Sequence, residues 1–359
     1  MNPEGGGHTG LSALLPLRVS GRHYGENLAR LDLLFSSLIH HGGPGLLDEV
    51  VVVVRADELD VVGPHLERWR ADLPLEIRVE DEYFPAFRRF RRPWQVRPWQ
   101  RQQIIKLNAA ALTNSPFVLT LDPDVIAVKP ITRELLLPGG RALLEPESRG
   151  VHRRWWHDSA QLLDVDPSMQ RPGMGVTPAL LSTAVLDEVQ RRLEDVGGAD
   201  WIEVLLTSYC DWTEYTLYLL TAEEAGLVRR YHLWADDPAA PARLQIDPSI
   251  SIWSAVTASR ASIERLFDPE IGGLFAVAQS GSSLGAGEVA EVAAERFPVR
   301  RVQAETAAAP PPPSKLGERF RSVSRLAAQG IYRLRAGIRA RRRRSRRSLE
   351  VRLDLGRGP

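Results

Sequence analysis

Two carboxylates, Asp122 and Asp124, follow a short apolar run, Phe117-Val118-Leu119-Thr120-Leu121. The run has the length of a buried strand, and carboxylates at the end of such a strand are costly unless a cation lies beside them. Mg2+ and Mn2+ suit this pattern, because they take one or two carboxylates and complete an octahedral shell with water and phosphate oxygens. In open α/β sheets, ligands bind beyond the carboxyl ends of the strands. The spacing therefore predicts a site for a metal-bound nucleotide diphosphate.

An amphipathic segment, Trp99–Leu112, precedes this run and is predicted to be helical. Gln102 and Gln103 stand four and three positions before Lys106, so the three polar side chains share one face of the helix. A lysine ammonium on that face would add a second positive group for a diphosphate.

The chain carries a second Asp-x-Asp, Asp164-Val165-Asp166, and it is interpreted differently. It follows an amphipathic helical pattern containing Trp155 and Trp156 and precedes a proline, which is typical of a helix end and turn. The motif alone is therefore weak support for a metal. The buried strand before Asp122 is what favours the first copy.

The surrounding elements alternate between strand and helix patterns. Glu49–Val54 is a continuous β-branched run, as expected of a strand buried on both faces of a parallel sheet. Other strands are predicted at 14–19, 75–79, 142–144, 249–253 and 274–278, and helices at 27–39, 57–69 and 287–297. The β-α-β-α-β order of the first half predicts right-handed crossovers and a parallel sheet.

Three motifs together resemble GT-A-type nucleotide-sugar glycosyltransferases. They are W-x-x-Q-Q-x-x-K-L from Trp99, L-D-x-D from Leu121 and E-Y-x-L-Y from Glu214. The set is most similar to a bacterial glycosyltransferase-like family of unknown function, over roughly Leu14 to Phe297. The resemblance implies a GT-A-like, Rossmann-type fold with a mixed, mainly parallel sheet flanked by helices. It also implies a nucleotide-diphosphate sugar donor and a sugar-transfer reaction.

The resemblance further implies roles for individual residues. Asp122 and Asp124 would hold Mn2+ or Mg2+, and His232 is a candidate third ligand, because many GT-A enzymes add a histidine from a late strand. Trp99, Gln102, Gln103, Lys106 and Asp122 are the candidate substrate-binding residues, with Lys106 at the phosphates.

Glu214 and Asp211 are the candidate catalytic residues. The resemblance places Glu214 near the acceptor or the reacting sugar, where it would orient a hydroxyl or act as base. An alternative explains both acids structurally: Asp211 as N-cap and Glu214 at the third helical position would form a capping box.

Composition limits the broad class of the protein. A chain of 359 residues with 43% hydrophobic and 25% charged residues is long enough to bury a sizeable core. The single cysteine, Cys210, excludes an intrachain disulfide and fits a reducing compartment. The first residues have neither a basic nor an apolar signal segment, so we expect a cytoplasmic protein.

The last 45 residues, from Lys315, differ in charge from the rest of the chain. They hold 15 Lys and Arg against 3 Asp and Glu, a net charge of +12, which leaves −11 for the remainder. Apolar residues recur among the arginines of 315–347, so this basic tail is predicted to be helical or disordered. It would lie on an anionic membrane at the inner face, bind a protein partner or, less favoured, bind nucleic acid.

These observations predict a flexible N-terminus at 1–12, a glycosyltransferase domain at 13–300, a Pro-rich linker at 301–314 and the basic tail at 315–359. The predicted function is metal-dependent transfer of a sugar to an unknown acceptor, which could be a saccharide, a lipid or a cell-envelope precursor. Two alternatives stay open. One is a nucleotidyltransferase on a similar sheet, and the other is an inactive glycosyltransferase-like binding module with a membrane- or partner-binding tail.

Overall fold

The structure is a computed structural model that describes residues 9–19, 24–89, 98–208, 210–254, 258–279 and 284–301. The predicted basic tail lies outside these ranges, as does the linker except for its first residue. The predicted domain boundaries therefore stay predictions.

The described residues form short strands and longer helices. The strands are β1 (Leu11–Pro16), β2 (Glu49–Val54), β3 (Leu75–Val79), β4 (Phe117–Thr120), β5 (Val125–Ala127), β6 (Ala142–Leu144), β7 (Pro146–Ser148), β8 (Pro172–Met174), β9 (Ala179–Ser182), β10 (His232–Trp234) and β11 (Phe275–Val277). The helices are α1 (Tyr24–Gly42), α2 (Leu59–Glu67), α3 (Glu80–Tyr83), α4 (Ala86–Arg89), α5 (Pro98–Leu107), α6 (Ala109–Leu112), α7 (Arg133–Leu136), α8 (Arg153–Leu163), α9 (Thr183–Gly197), α10 (Trp201–Thr207), α11 (Glu214–Glu224), α12 (Val228–Tyr231), α13 (Arg260–Leu266) and α14 (Ala286–Ala294). Single 3-10 turns lie at Ala56–Glu58 and Pro138–Gly140.

A five-stranded sheet in the order β3-β2-β1-β4-β9 forms the centre of the fold. The first four strands are parallel, and β9 runs antiparallel beside β4. The prediction of a mixed, mainly parallel sheet is confirmed. Three shorter pairs accompany this sheet: β6 pairs with β10 in parallel, and β5 with β11 and β7 with β8 pair antiparallel.

Helices cover both faces of this sheet, which explains the apolar run of β2. Val50, Val52 and Val54 pack in one core with α1 and α2, while Val51 and Val53 pack in a second core with α5 and α9. Alternate side chains of a strand point to opposite faces, so a strand buried on both sides needs apolar residues at every position. The first helix, the second strand and the third strand lie where the sequence predicts them.

Several predicted bounds differ from the observed ones. The first strand lies three residues earlier than predicted, because Leu11 to Leu14 pair with β4, while the amide of Leu17, just past the strand, still donates to the carbonyl of Val53. The predicted helix at 99–112 is divided at Asn108 into α5 and α6. The predicted strand at 249–253 is reduced to a single parallel bridge between Ile252 and Ala278, because Asp247 accepts hydrogen bonds from the amides of Ser249 and Ile250 and forms a turn before it.

No helix within the described residues combines the length and the apolar character needed to cross a membrane.

Candidate active site

The acidic pair lies at the carboxyl edge of the central sheet, in the turn between β4 and β5. The amide of Val125 donates to the carbonyl of Asp122 at 3.1 Å, which closes the turn. The carbonyl of Asp124 accepts from the amide of Ala278, just after β11, at 3.0 Å. Both aspartates line a cavity of about 570 Å³. The structure thus brings the two predicted metal ligands to one opening at the expected edge.

Lys106 lies beneath these carboxylates, with 1% of its side chain exposed. Its ammonium is 3.0 Å from Oδ1 of Asp122 and 3.3 Å from Oε1 of Glu214. It also donates to Oγ1 of Thr177 at 2.8 Å. These partners differ from the predicted contact with donor phosphates, because a buried ammonium in this position faces protein groups. We therefore assign Lys106 to holding Asp122 and Glu214 in place.

The charge of Lys106 is maintained by its surroundings. Burial alone would lower its pKa, but the nearby Asp122, Tyr215 and Glu214 raise the pKa well above its ordinary value. A buried ammonium with two carboxylate neighbours stays protonated, since losing the proton would leave those carboxylates uncompensated.

Glu214 is the first residue of α11, and its side chain is 1% exposed. Thr213 is the N-cap and forms a capping box with Thr216, so the alternative in which Asp211 and Glu214 form that box is wrong. Oε1 of Glu214 forms an ion pair with the ammonium of Lys106 at 3.3 Å, and the side chain lines the cavity. Burial raises the pKa of Glu214 to about 7, and the ammonium of Lys106 opposes that rise. A buried acid with a raised pKa at a cavity wall is a strong candidate for proton transfer.

A hydroxyl network supports Lys106 from below. The phenol of Tyr215 lies 2.6 Å from Oγ1 of Thr177 and 3.0 Å from Oγ1 of Thr120 in β4. Thr177 and Tyr215 also line the cavity. Sequence analysis missed Thr177, because its contact with Lys106 spans 71 positions and no motif marks it.

Arg30 is a second buried cation, and it lies behind Asp124. Its guanidinium donates to the carbonyls of Ala278 and Leu284, on either side of the cavity residue Gln279. Burial lowers the pKa of Arg30, and the carboxylate of Asp124 is close enough to oppose that shift. Lys106 is therefore ion-paired with Asp122, whereas Arg30 influences Asp124 through its charge. Nothing in the spacing of the sequence points to Arg30.

Asp211 contacts the neighbouring helix α8. Its carboxylate is 3.0 Å from Nε of Arg154, and its amide donates to Asp158 at 2.8 Å. Both partners belong to α8, so Asp211 joins that helix to the segment before α11. We assign it a structural role and leave it out of the proposed reaction.

His232 is not brought to the acidic pair. It lies in β10, fully buried, with Nε2 2.7 Å from the hydroxyl of Tyr218. The same hydroxyl accepts from the amide of Ser182, which is paired with Phe117 at the start of β4. Asp122 follows Phe117 by five positions, at about 3.3 Å for each residue of extended chain. We therefore leave His232 out of the proposed metal site.

Of the other predicted site residues in α5, two line the cavity and one lies on the adjacent side of the helix. Trp99 and Gln103 line the cavity, and Oε1 of Gln103 accepts from the amide of Glu214 at 3.3 Å. Gln102 is half-buried on the adjacent side of the helix. Gln103 thus fixes the start of α11 relative to α5.

Three further cavity residues lie on β7 and near the start of α8. Glu147, His152 and Trp155 line the same cavity, and Nε2 of His152 is 3.8 Å from Oε2 of Glu147. Sequence analysis treated Trp155 only as part of an amphipathic helix. The structure instead buries Trp156 in the core and turns Trp155 towards the cavity.

The donor set suits a metal that is shared with a ligand. Within the described ranges, no group of three or more His, Cys, Asp or Glu side chains could by itself hold a metal ion. Two carboxylates at a cavity edge fit Mg2+ or Mn2+, because these ions are bound by one or two carboxylates plus substrate phosphates and water. The residues present therefore fit a metal–diphosphate complex.

Glu147 gives a testable dependence of stability on pH. Burial raises its pKa from 4.5 to about 7. Between these two pH values the folded state keeps a proton that the unfolded state has released. The contribution of this proton to the stability of the fold is complete below pH 4.5 and is lost as the pH rises through 7. We expect the urea midpoint of Glu147→Gln to fall less over that pH interval than the midpoint of the parent protein does. The fall that remains would come from Glu214.

The exposed Glu194, in α9, provides the matched control for this measurement. Glu194→Gln should leave the pH dependence of the midpoint as in the parent protein. Equal slopes for the parent and Glu147→Gln would show that Glu147 titrates at its ordinary value.

The structure is that of an α/β protein with a cavity, lined by acidic residues, at the carboxyl edge of parallel strands. The sequence profile described as "Family of unknown function (DUF6492)" matches residues 8–300. The chain belongs to this family. No curated protein matches the chain significantly.

Solved structures with a similar chain path include two glycosyltransferases. Mouse xyloside xylosyltransferase 1, in its apo form, is 12% identical, with a TM-score of 0.43 over 74% of this chain and 96% of that one. The galactosyltransferase LgtC, in complex with donor and acceptor sugar analogues, is 13% identical, with a TM-score of 0.46 over 82% of this chain and 98% of that one. A 4-diphosphocytidyl-2C-methyl-D-erythritol synthase from Anaerococcus prevotii is 14% identical, with a TM-score of 0.23 over 39% of this chain and 56% of that one.

Proposed function

We propose that the protein is a GT-A-type glycosyltransferase that moves a sugar from a nucleotide-diphosphate donor to an acceptor hydroxyl. The observation that carries the proposal is the buried Asp122–Lys106–Glu214 cluster, which opens with Asp124 into one cavity. Three motifs that resemble glycosyltransferases contribute the residues of this cluster, and the fold places them together although they are distant in sequence.

Asp122 and Asp124 would hold Mn2+ or Mg2+ together with the donor diphosphate. The ion, when bound, neutralises the negative charge that develops on the leaving diphosphate. The protein's part is to keep the two carboxylates fixed and partly compensated before the donor arrives. Lys106 does this for Asp122, and Arg30 lies behind Asp124.

Glu214 would take the proton of the acceptor. The acceptor oxygen forms the new bond to the sugar carbon, the diphosphate leaves with the electrons of the old bond, and the hydroxyl proton passes to the Glu214 carboxylate. A base works best when its pKa is near the working pH, and burial gives Glu214 a pKa of about 7. Gln103 and Lys106 are positioning residues, because they orient the backbone and the carboxylate of Glu214.

The test is thermal unfolding with UDP, GDP, ADP, CDP and dTDP, each with and without Mn2+ or Mg2+. A ligand that binds only the folded state stabilises it by about 2.7 kcal/mol at a hundredfold excess over its dissociation constant. We expect a metal-dependent rise in the midpoint with one or two of these nucleotides. Asp124→Asn should abolish that rise, because it removes one of the two charges that hold the ion.

Asp166→Asn is the matched control, since Asp166 belongs to the second Asp-x-Asp and only accepts local hydrogen bonds from Ser168. It should bind nucleotide like the parent protein. A parent protein that no nucleotide stabilises would instead favour the inactive binding module, and binding that survives in Asp124→Asn would remove Asp124 from the metal site.

A further inference from the structure

A row of three aromatic rings forms one wall of the cavity. The rings of His152 and Trp155 are stacked, with centroids 3.9 Å apart and planes 16° apart. The ring of Trp99 continues the row, with its centroid 5.8 Å from that of Trp155. All three side chains are half-buried and line the cavity that holds the acidic pair. We call Trp99, His152 and Trp155 the aromatic wall.

Arg149 anchors the segment of chain that carries His152 and Trp155. This guanidinium is fully buried, lies 4.3 Å from the ring centroid of Trp156, and is 2.6 Å from Oε1 of Glu223 in α11. It also donates to the carbonyls of Pro167 and Pro172. The chain that carries His152 and Trp155 is thereby tied to α11 and β8. Pre-positioned rings lose little conformational freedom when a ligand binds.

The wall lies on the Glu214 side of the cavity. Trp99 and Gln103 are four positions apart in α5, so their side chains are neighbours on one helix face. Gln103 in turn accepts the hydrogen bond from the amide of Glu214. Asp124, in contrast, is tied to the end of β11. A ligand against the wall would therefore approach Glu214 rather than share the β11 side with Asp124.

The chemistry of the wall matches a sugar ring. The half-buried indole rings offer apolar surface that suits the C–H groups of a pyranose, and the Trp155 face stacked on His152 is not part of that surface. Glu147 lies beside the wall and could accept hydrogen bonds from ring hydroxyls, which a purely apolar ligand would leave unpaired. A saccharide has both the apolar face and the hydroxyl edge.

We propose that Trp99, His152 and Trp155 form the acceptor subsite and bind a pyranose of a saccharide acceptor by its C–H face, with Glu147 at its hydroxyls. The assignment of this ligand as the acceptor rests on the proposed function. The wall itself is argued from the cavity alone, so the two proposals can fail separately.

The experiment uses the methyl pyranosides of glucose, galactose, mannose and xylose as probes of the full chain. Saturation-transfer-difference NMR detects which sugar protons touch the protein. We expect at least one pyranoside to bind, with the strongest saturation on the C–H protons of one face. Trp155→Ala should weaken that binding about tenfold, and Trp155→Phe should restore most of it.

Trp234→Ala is the control for loss of a half-buried tryptophan, because Trp234 packs against the core beside α12. It should leave pyranoside binding as in the parent protein. Metal-dependent nucleotide binding is measured on every variant and should be unchanged in Trp155→Ala.

Three results would overturn the proposal. They are absence of pyranoside binding while nucleotide binding is intact, equal pyranoside binding by the parent and Trp155→Ala, and loss of nucleotide binding in Trp155→Ala, which would assign the wall to the donor base. If pyranosides bind at the wall but no nucleotide binds with metal, the proposed transfer reaction fails and the saccharide subsite stands.

Discussion

Lys106→Met is expected to lower the free energy of unfolding by about 3–5 kcal/mol above pH 7, because breaking a buried ion pair leaves an uncompensated charge. The variant keeps most of the side-chain volume and removes the ammonium that lies 3.0 Å from Asp122 and 3.3 Å from Glu214. It also leaves Oγ1 of Thr177 without this donor. Urea unfolding followed by circular dichroism measures the change.

The loss should shrink in acid. Without the ammonium, the pKa of Glu214 rises further above the value of about 7 that burial gives it, so the variant binds a proton that the unfolded chain has released. This contribution to stability is present at low pH and disappears as the pH rises through the folded-state pKa. Adding Glu214→Gln to Lys106→Met should recover part of the loss above pH 7. A change below about 1 kcal/mol at that pH would show that Lys106 is not the counter-charge of this cluster.

Glu214→Gln is expected to reduce turnover by about 10²–10⁴-fold, the usual contribution of a positioned acid or base. Its stability should change in the opposite direction, rising above pH 7, since the amide removes a carboxylate whose burial raises its pKa. Lys106 keeps Asp122 as its partner, so the ammonium is not left alone. The assay measures release of nucleoside diphosphate from a nucleotide sugar. The sugar nucleotide is chosen so that its nucleoside diphosphate is the one that stabilises the protein in the thermal test.

Glu224→Gln, at the exposed end of the same helix, is the control and should match the parent protein in both properties. Turnover that stays within a few-fold of the parent in Glu214→Gln would exclude the proposed proton transfer. A fall in both turnover and stability would instead assign Glu214 to the architecture of the cluster.

The sequence predicted the parts of the fold that local chemistry controls. The β-branched run of β2 and the apolar run of β4 are favourable as strands that are covered on both faces. The position of Asp122 and Asp124 at the carboxyl edge followed from that strand. Asp164 also ends α8 in a left-handed conformation, as predicted for a helix end and turn.

What the sequence could not predict depends on contacts between distant segments. The polar face of α5 that carries Lys106 was predicted to meet donor phosphates, yet α11 and β1 pack around this helix and bury the lysine. Periodicity separates polar from apolar faces, but it does not distinguish water from a buried polar site. The resemblance made His232 a candidate third metal ligand, but it carries no information on the contact that places the hydroxyl of Tyr218 2.7 Å from Nε2 of His232.

The pairing of β5 with β11 has a consequence for the order in which the site is made. Asp124 is hydrogen-bonded to Ala278, whereas the last strand of the central sheet ends at Ser182. At a synthesis rate of about 5–20 residues per second, the stretch between them takes about 5–20 s to emerge. A nascent chain therefore has all five strands of its sheet well before the partner that fixes Asp124. The proposed donor site is completed only when nearly the whole body has been translated.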